Sequence, residues 1–393
     1  MKILAAQYGT ELFGRERENI ECYKSFQRLG CEVQVFGSYR TEHGGETGKL
    51  LSELGLKCGE MPFGSHFSLS YFLKMKGYWW LQMKRIFWCS NLMRKKAKNM
   101  GAHAIFIGGT MEFLYLWPFL FCQRRPIIYR VGDAPIWSSW FHKFIMKLLL
   151  QKAKLIIPVS NFIHSECIRL LQSTASKSFV IWNIPPEFNG NERTETKQFQ
   201  TEGSCDEKYP TRFIYVGQIT PEKGIRTMID ALAQLHTSLS WECRFVGGGL
   251  YTQHFQEEIK NYVKSIGLHD RVEFTGQVND PSVHYLWADW HVLPSHLNEA
   301  FGLVIAEAKR HAVPSIVFPL GAMPELVENN VSGIITENET SESLAKAFHS
   351  AITGNLKMSH AALASYEKSF STKRFDSDWR KVLTQVQKIK SSS

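Results

Sequence analysis

The sequence predicts an α/β protein made of two parallel, doubly wound domains. Short β-rich runs alternate with helical patterns in both halves, and a polar stretch separates the two series. The chain of 393 residues is also long enough for two domains, with 44% hydrophobic residues to fill their cores. We expect domains at 1–188 and 210–370, a linker at 189–209 and a closing helix within 371–393.

Each predicted element follows from a local pattern. Apolar, β-branched runs predict strands at 2–6, 32–36, 104–107, 126–131, 155–159 and 178–182, and then at 212–216, 242–246, 272–274, 290–293, 315–318 and 333–335. Helical periodicity predicts helices at 15–29, 137–152, 162–171 and 371–388. Ligands of open α/β sheets bind at the carboxyl ends of the strands. Two such domains facing each other would place a site in the cleft between them.

Several classes of protein do not fit the composition. The eight cysteines form no CxxC pair and no cluster with histidines, which favours a reduced cytoplasmic protein over a disulfide framework or a zinc site. The apolar run at 1–7 is too short for a signal peptide. The longest apolar stretch, 113–122, is about half of a spanning helix, so we predict no transmembrane segment.

A polar turn follows the strand predicted at 212–216. Thr220 and Pro221 are typical of a helix start, which would place Lys223 in the first helical turn. A cation at that end opposes the helix dipole. A bound anion such as a diphosphate would remove the conflict, because free N–H groups and Lys223 would both bind it. A solvated lysine in a surface turn is the alternative.

The segment after 290–293 carries two glutamates, Glu299 and Glu307. We expect a helix to begin near Phe301 or Gly302, and eight helical residues rise about 12 Å, comparable with the span from a ribose to a sugar beyond a diphosphate. Carboxylates at both ends can accept hydrogen bonds from hydroxyl groups. The residues at 303–306 are apolar, so Glu307 would lie in a buried helix and would need a partner.

Two more turns follow predicted strands, at 246–249 (Val-Gly-Gly-Gly) and at 319–325 (Pro-Leu-Gly-Ala-Met-Pro-Glu). Glycine lets a backbone approach a ligand closely, although a plain tight turn explains either segment alone. Four ligand-suited turns at successive strand ends favour a common site more than any one of them does.

Together these segments resemble the family 4 glycosyltransferases, retaining enzymes of the GT-B fold, over most of 210–390. The segment 299–307 fits the family's two glutamates separated by seven residues, and 216–224, 245–249 and 321–325 fit its other donor-side segments. The resemblance implies that Lys223 holds a diphosphate, Glu307 a ribose and Glu299 the transferred sugar. It also implies that the closing helix crosses back to the first domain. The expected donor-binding residues are Gly14, Gly217, Gln218, Lys223, Gly248, Glu299, Phe301, Gly302, Leu303 and Glu307.

The chain departs from the family at some positions. Gln218 stands where the family usually has an arginine, so a departing diphosphate would meet one cation fewer. Many members carry a His-Asp pair after the strand that corresponds to 126–131. Here the histidine is absent, so only Asp133 could take the role of that pair, as a third catalytic candidate beside Glu299 and Lys223. An N-cap or turn aspartate is the alternative. The loop at 9–15 resembles the family loosely, and we expect Arg15 and Asp133 on the acceptor side.

The positive charge is concentrated in the first half. Residues 1–200 carry 27 Lys and Arg against 15 Asp and Glu, whereas 201–393 carry 19 against 22. The segment 70–100 has eight cations, seven aromatic residues and no acid, which is typical of a membrane-surface element. A core-packed helix with lysines in water is the alternative, and no motif supports nucleic-acid binding. The expected membrane contacts are Lys74, Lys76, Lys84, Arg85, Lys95 and Lys96.

The sequence therefore predicts a retaining, metal-independent glycosyltransferase without a cofactor. It would move a sugar from a UDP- or GDP-type donor to a glycan or lipid-linked acceptor, at the inner face of a bacterial membrane. A nucleotide-sugar epimerase, a phosphorylase and a non-catalytic nucleotide-sugar or membrane-binding module remain alternatives. Asp376 and Asp378 form an Asp-x-Asp pattern that other glycosyltransferase folds use for metal, but a helix start favours a dipole role for them.

Overall fold

The computed structural model describes residues 1–9, 14–38, 45–64, 77–132, 140–186, 209–249, 253–354 and 358–391. The chain divides into two compact units, 1–186 with 372–393, and 187–371. Each unit is built on one parallel six-stranded sheet with helices between the strands. The predicted α/β class with two Rossmann-like domains is confirmed.

The first unit contains most of the elements predicted for the first half. Its strands are β1 (Lys2–Gln7), β2 (Glu32–Ser38), β3 (Lys57–Met61), β4 (Ala104–Ile107), β5 (Ile127–Val131) and β6 (Leu155–Pro158). They pair in the order β3-β2-β1-β4-β5-β6. The helices are α1 (Gly14–Arg28), α2 (Glu46–Glu53), α3 (Tyr78–Met100), α4 (Thr110–Cys122), α5 (Trp140–Lys152) and α6 (Asn161–Leu170).

The second unit repeats the same strand order. Its strands are β7 (Thr211–Val216), β8 (Trp241–Val246), β9 (Val272–Gly276), β10 (Trp290–Leu293), β11 (Ser315–Val317) and β12 (Gly333–Ile335), paired as β12-β11-β10-β7-β8-β9. The helices are α7 (Ile225–Ala233), α8 (Gln253–Ser265), α9 (Ser282–Trp287), α10 (Leu303–Arg310), α11 (Met323–Leu326), α12 (Ser341–Thr353) and α13 (Ser359–Ser369). In each sheet the order reverses beside the first strand, between β1 and β4 and between β7 and β10, which is where such sheets bind ligands.

The strand predictions for the first unit contain one wrong strand and one omission. The segment 178–182 is not a strand, although Ser178 forms an isolated bridge with Ile156. Its N–H groups donate to β6, but Pro158 has no N–H to donate in return, so a ladder cannot continue. The strand β3 was not predicted, because Lys57-Cys-Gly-Glu-Met61 has little β propensity and pairs only with β2, at the edge of the sheet.

The last helix, α14 (Thr372–Ser391), belongs to the first unit and completes its core. The ring of Trp379 is fully buried, edge-on to Phe26 with centroids 4.8 Å apart. The buried guanidinium of Arg130 lies 5.7 Å from the centroid of the same ring. At the start of the helix Asp376 accepts hydrogen bonds from Ser25 Oγ (2.6 Å) and from Arg28 (2.8 Å). The carboxylate therefore anchors the helix.

None of the helices in the described part of the chain combines the length and the apolarity that crossing a bilayer requires.

The burial of Trp379 leads to a stability prediction. We expect Trp379→Ala to lower the free energy of unfolding of the first unit by about 3 to 5 kcal/mol, because the side chain leaves a cavity and Arg130 loses an aromatic face. Arg380→Ala, at an exposed position on the same helix, should change it by less than about 0.5 kcal/mol. Urea unfolding followed by circular dichroism measures both, and equal effects would contradict the anchoring role.

Candidate functional site

The candidate site lies in the second unit, at the carboxyl ends of β7 and β10. These strands are neighbours, with Trp290 opposite Phe213 and His291 opposite Ile214. The sheet order reverses between them, and ligands of open α/β sheets bind at such a position. Both segments were predicted as ligand-binding turns.

The segment after β7 differs from the prediction. Pro221–Lys223 forms one turn of 3-10 helix, and Gly224 with φ 71° separates it from α7. Lys223 therefore lies before the helix instead of in its first turn, and the expected conflict with the dipole does not arise. A Cβ on Gly224 would lie 1.8 Å from the carbonyl oxygen of Pro294. Glycine is therefore needed for this turn to contact the loop that follows β10.

Lys223 and Glu299 are brought together by this contact. Lys223 Nζ donates to Glu299 Oε1 at 2.6 Å, and the two side chains are 22% and 16% exposed. The fourth predicted turn supports Glu299, because the Glu299 carbonyl accepts from the N–H of Ala322 at 2.9 Å. A Cβ on Gly321 would lie 2.5 Å from the Glu299 backbone, so the backbones of these two residues pack directly against each other.

His296 links the same two segments and was not singled out from the sequence. Its backbone N–H donates to the Glu222 carbonyl at 2.9 Å, and its ring Nε2 lies 2.8 Å from Thr227 Oγ1. The first contact holds the turn before α7, and the second holds the first turn of α7 itself. His296 therefore fixes the loop that carries Glu299 against the segment that carries Lys223. A histidine in a polar loop gives no pattern from which this could have been predicted.

The turns after β7 and β8 lie against each other. The Gly217 N–H donates to Val246 O and the Ile219 N–H to Gly248 O, both at 3.0 Å. A Cβ on Gly247 would lie 2.0 Å from Gly217 O, whereas one on Gly248 would meet nothing closer than 3.7 Å. Packing thus requires glycine at Gly247, whereas the space beside Gly248, the predicted donor-binding residue, is more open.

Gln218 has an exposed side chain, and its backbone carbonyl is held by a hydrogen bond. The hydroxyl of Tyr215 donates to the Gln218 carbonyl at 2.7 Å. Burial, and then the nearby Glu299 carboxylate, raise the pKa of Tyr215 well above its ordinary value. Tyr215 is therefore a neutral donor that shapes the turn.

The helix that carries Glu307 begins at Leu303, after Gly302 with φ 98°. Residues 299–302 are not helical, so the predicted rise of about 12 Å between the two glutamates does not apply. Phe301 is buried and packs edge-on against Phe370, with centroids 6.3 Å apart.

Glu307 has the partner that its burial requires. The hydroxyl of Tyr285 on α9 donates to Glu307 Oε2 at 3.2 Å. The Tyr285 ring stacks on His311, with centroids 5.4 Å apart, and His311 Nδ1 lies 2.9 Å from the Glu307 carbonyl oxygen. Burial and the adjacent Glu307 carboxylate raise the pKa of Tyr285 well above its ordinary value. Tyr285 thus orients this carboxylate, and His311 supports the Tyr285 ring.

In the first unit, the residues predicted on the N-terminal loop lie beside buried carboxyl groups. Gly14 begins α1, and a Cβ there would meet nothing within 4 Å, so packing does not require this glycine. The Arg15 guanidinium lies 3.0 Å from Glu16 Oε1. Glu112 at the start of α4 accepts from the Tyr8 N–H at 3.0 Å, and burial raises its pKa while Arg15 opposes the shift. Asp133 lies outside the described residues.

The predicted membrane contacts are only partly described. Lys84 and Lys95 are exposed and Arg85 and Lys96 half-buried on α3, whereas Lys74 and Lys76 lie outside the described residues. Across the described residues, no group of three or more His, Cys, Asp or Glu side chains is arranged to hold a metal ion. Asp378 of the Asp-x-Asp pattern is ion-paired with Arg374 and Lys381, at 3.2 and 2.8 Å.

Sequence comparison connects the second unit with a known family. Residues 197–368 match the family model described as "Glycosyl transferases group 1". An uncharacterized glycosyltransferase of Methanocaldococcus jannaschii is 28% identical over 247 residues, 61% of each chain. A lipopolysaccharide core biosynthesis mannosyltransferase of Rhizobium leguminosarum bv. viciae is 32% identical over 137 residues, 33% of this chain and 38% of that one. The chain thus covers less than two thirds of the length of either relative.

Structural comparison extends over both units. The crystal structure of Anabaena HepE in complex with UDP and glucose matches with a TM-score of 0.76 and 22% identity, covering 98% of this chain and 99% of HepE. At this identity the likeness shows the fold, which is GT-B. The architecture implied by the resemblance is confirmed.

The contact at Gly224 leads to a second prediction. Gly224→Ala should lower the free energy of unfolding of the second unit by about 3 kcal/mol or more, because the new methyl group overlaps Pro294 O. Gly267 has a similar φ of 74° with nothing within 4 Å of a Cβ. Gly267→Ala should therefore cost only about 1 kcal/mol, for the left-handed backbone alone. Equal losses in urea unfolding would show that the close approach is not needed.

Proposed function

Since residues 197–368 match the family model of the group 1 glycosyl transferases, we propose that this chain is a glycosyltransferase. It moves a sugar from a nucleotide-diphosphate sugar to a hydroxyl group of an acceptor. The observation that carries this proposal is the contact between Lys223 and Glu299 at the carboxyl ends of β7 and β10.

A cation beside a carboxylate matches the two groups joined by the bond that breaks, the diphosphate and the sugar. In a nucleotide sugar the sugar is joined directly to the diphosphate, so groups that bind the two parts must be neighbours. Lys223 Nζ and Glu299 Oε1 are 2.6 Å apart. In this proposal Lys223 binds the diphosphate and Glu299 accepts hydrogen bonds from sugar hydroxyl groups.

The departing diphosphate gains negative charge as the bond breaks. In this proposal that charge is stabilised by Lys223 and by the N–H groups of the first turn of α7, which begins at Ile225. Such preorganised groups cost no reorganisation during the reaction. Gln218 adds a hydrogen-bond donor without a charge. We assign the ribose to Glu307, whose carboxylate is oriented by Tyr285.

The finer parts of the proposal concern donor, acceptor and place. The donor is of the UDP or GDP type, and the sugar keeps its anomeric configuration. The reaction needs no metal, because Lys223 supplies the positive charge at the diphosphate. The acceptor is a glycan or a lipid-linked sugar of a bacterial envelope polysaccharide, reached at the cytoplasmic face of the membrane. We assign Arg15 and Asp133 to binding of the acceptor. The relative named for lipopolysaccharide core biosynthesis and HepE with its bound UDP support this choice.

Nucleotide binding provides the direct test. We expect UDP or GDP to raise the melting temperature, ADP to raise it less, and EDTA to change neither shift, because no metal mediates binding. A hundredfold excess over the dissociation constant would stabilise the protein by about 2.7 kcal/mol. A thermal-shift screen of the three nucleotides measures this, and the absence of any shift would refute the donor site.

Lys223 and Glu299 should differ in what they affect. Lys223→Ala should weaken binding of the free nucleotide diphosphate and lower kcat by about 100- to 1000-fold, because it removes the charge at the leaving group. Glu299→Gln should lower kcat while leaving binding of the free nucleotide nearly unchanged, because its carboxylate contacts the sugar. Calorimetric titration with the nucleotide and turnover of the sugar nucleotide measure the two effects.

Lys260→Ala is the matched control, a half-buried lysine of the same unit that pairs only with Glu257 in the described structure. It should change neither quantity. If Lys223→Ala behaved like this control with an intact fold, the assigned role of Lys223 would be wrong. Sugar-nucleotide turnover that yields an epimer of the donor, without transfer, would identify an epimerase instead.

A further inference from the structure

The large aromatic side chains of α3 face away from the core of the first unit. The buried stripe of the helix consists mainly of small and medium side chains: Gln82, Ile86, Cys89, Ser90, Met93, Ala97 and Met100. Trp79, Trp80, Phe87 and Trp88 are exposed, with Trp80 at 64%. A helix that packed only against its own core would bury its rings and expose its small residues. These rings therefore indicate a second apolar environment.

Two neighbouring helices extend this surface beyond the segment 70–100. Trp117 and Phe121 of α4 are exposed, as are Trp140 and Phe144 of α5, with Trp140 at 78%. A groove of about 310 Å³ lies between α3, α4 and α5, and its nine lining side chains are all apolar or aromatic. They include Trp79, Met83, Leu114, Trp117, Phe121 and Ile145.

The charges around the groove have one sign. The three helices contain a single acidic residue, Glu112, and its side chain is fully buried. Their Lys and Arg residues are Lys84, Arg85, Arg94, Lys95, Lys96, Lys98, Lys143, Lys147 and Lys152. Two of these cations lie beside rings of the surface, Lys84 Nζ at 4.0 Å from the Trp80 centroid and Lys152 Nζ at 5.6 Å from that of Phe121. Cations next to exposed aromatic rings match the headgroup region of a membrane.

We infer that α3, α4 and α5 form one insertion surface, which embeds its aromatic rings in an anionic bilayer and takes a lipid hydrocarbon chain into the groove. This inference rests on the proposed peripheral membrane contact and deepens it, because that contact was predicted from one basic segment. Exposed tryptophan rings suit the boundary between headgroups and acyl chains, and the cations suit anionic phosphates. The described lining of the groove is entirely apolar or aromatic, so a hydrocarbon chain fits it better than a sugar does.

A second copy of the chain fits this surface less well. A symmetric dimer would bring the same patch of both copies together, and with it two sets of cations. These helices carry no exposed carboxylate that could neutralise those cations. Like charges brought together oppose association. An anionic bilayer supplies the opposite charge and the apolar phase together.

Vesicle binding of the full chain tests the inference. With equal parts of phosphatidylglycerol and phosphatidylcholine we expect binding that high salt weakens but does not abolish, and with phosphatidylcholine alone much weaker binding. Lipids brominated on the acyl chain should quench tryptophan fluorescence, and Trp117→Phe should reduce that quenching while preserving binding. Replacing Trp117 and Phe121 together by alanine should weaken binding about tenfold, by loss of the inserted rings.

Matched variants separate the possible outcomes. Val283→Ser with Val331→Ser changes exposed apolar residues of the second unit and should leave vesicle binding unchanged. Binding that salt abolishes, without quenching by brominated chains, would overturn the insertion surface and leave a purely electrostatic contact. A dimer that Trp117→Ala with Phe121→Ala dissociates, in a protein that binds no vesicles, would show a self-association surface instead. The nucleotide-induced thermal shift should be the same in all these variants, so failure here is distinguishable from failure of the donor site.

Discussion

The close approach of Gly224 to the carbonyl oxygen of Pro294 is the constraint on which the candidate site depends. It holds the turn after β7 against the loop after β10, two segments 70 residues apart in sequence that leave neighbouring strands. His296 supports the same contact by bonding to Glu222 and Thr227. Only with these two backbones in contact can Lys223 and Glu299 form their hydrogen bond. A backbone distance thus sets the position of the charged groups.

The sequence predicted the fold well because strand burial leaves a local signal. Both Rossmann-like sheets and nearly every strand follow from apolar runs, since parallel strands are covered on both faces. The errors have physical causes. β3 lies at the sheet edge and needs few apolar residues, and the segment 178–182 looks like a strand but lies beside Pro158, which cannot complete a ladder.

The site was predictable in its residue types but not in its geometry. Glu299, Lys223 and the glycine turns stand in recognisable segments, whereas their partners are set by tertiary contacts. Tyr285 reaches Glu307 from another helix. Gly247 has a φ of 135° and faces the carbonyl of Gly217, and neither holds for Gly248. No single-sequence pattern reports which of two adjacent glycines meets another backbone.

The placement of α14 has a consequence for the order in which the chain folds. Trp379 fills the core of the first unit beside Phe26, so residues near the two ends of the sequence meet there. The second unit is continuous over 187–371 and contains all its own strands. During synthesis it can fold as soon as it leaves the ribosome, while the first unit waits for residues 372–391. The unit that is made first is thus completed last. Until α14 has been synthesised, the core beside Phe26 lacks the Trp379 side chain.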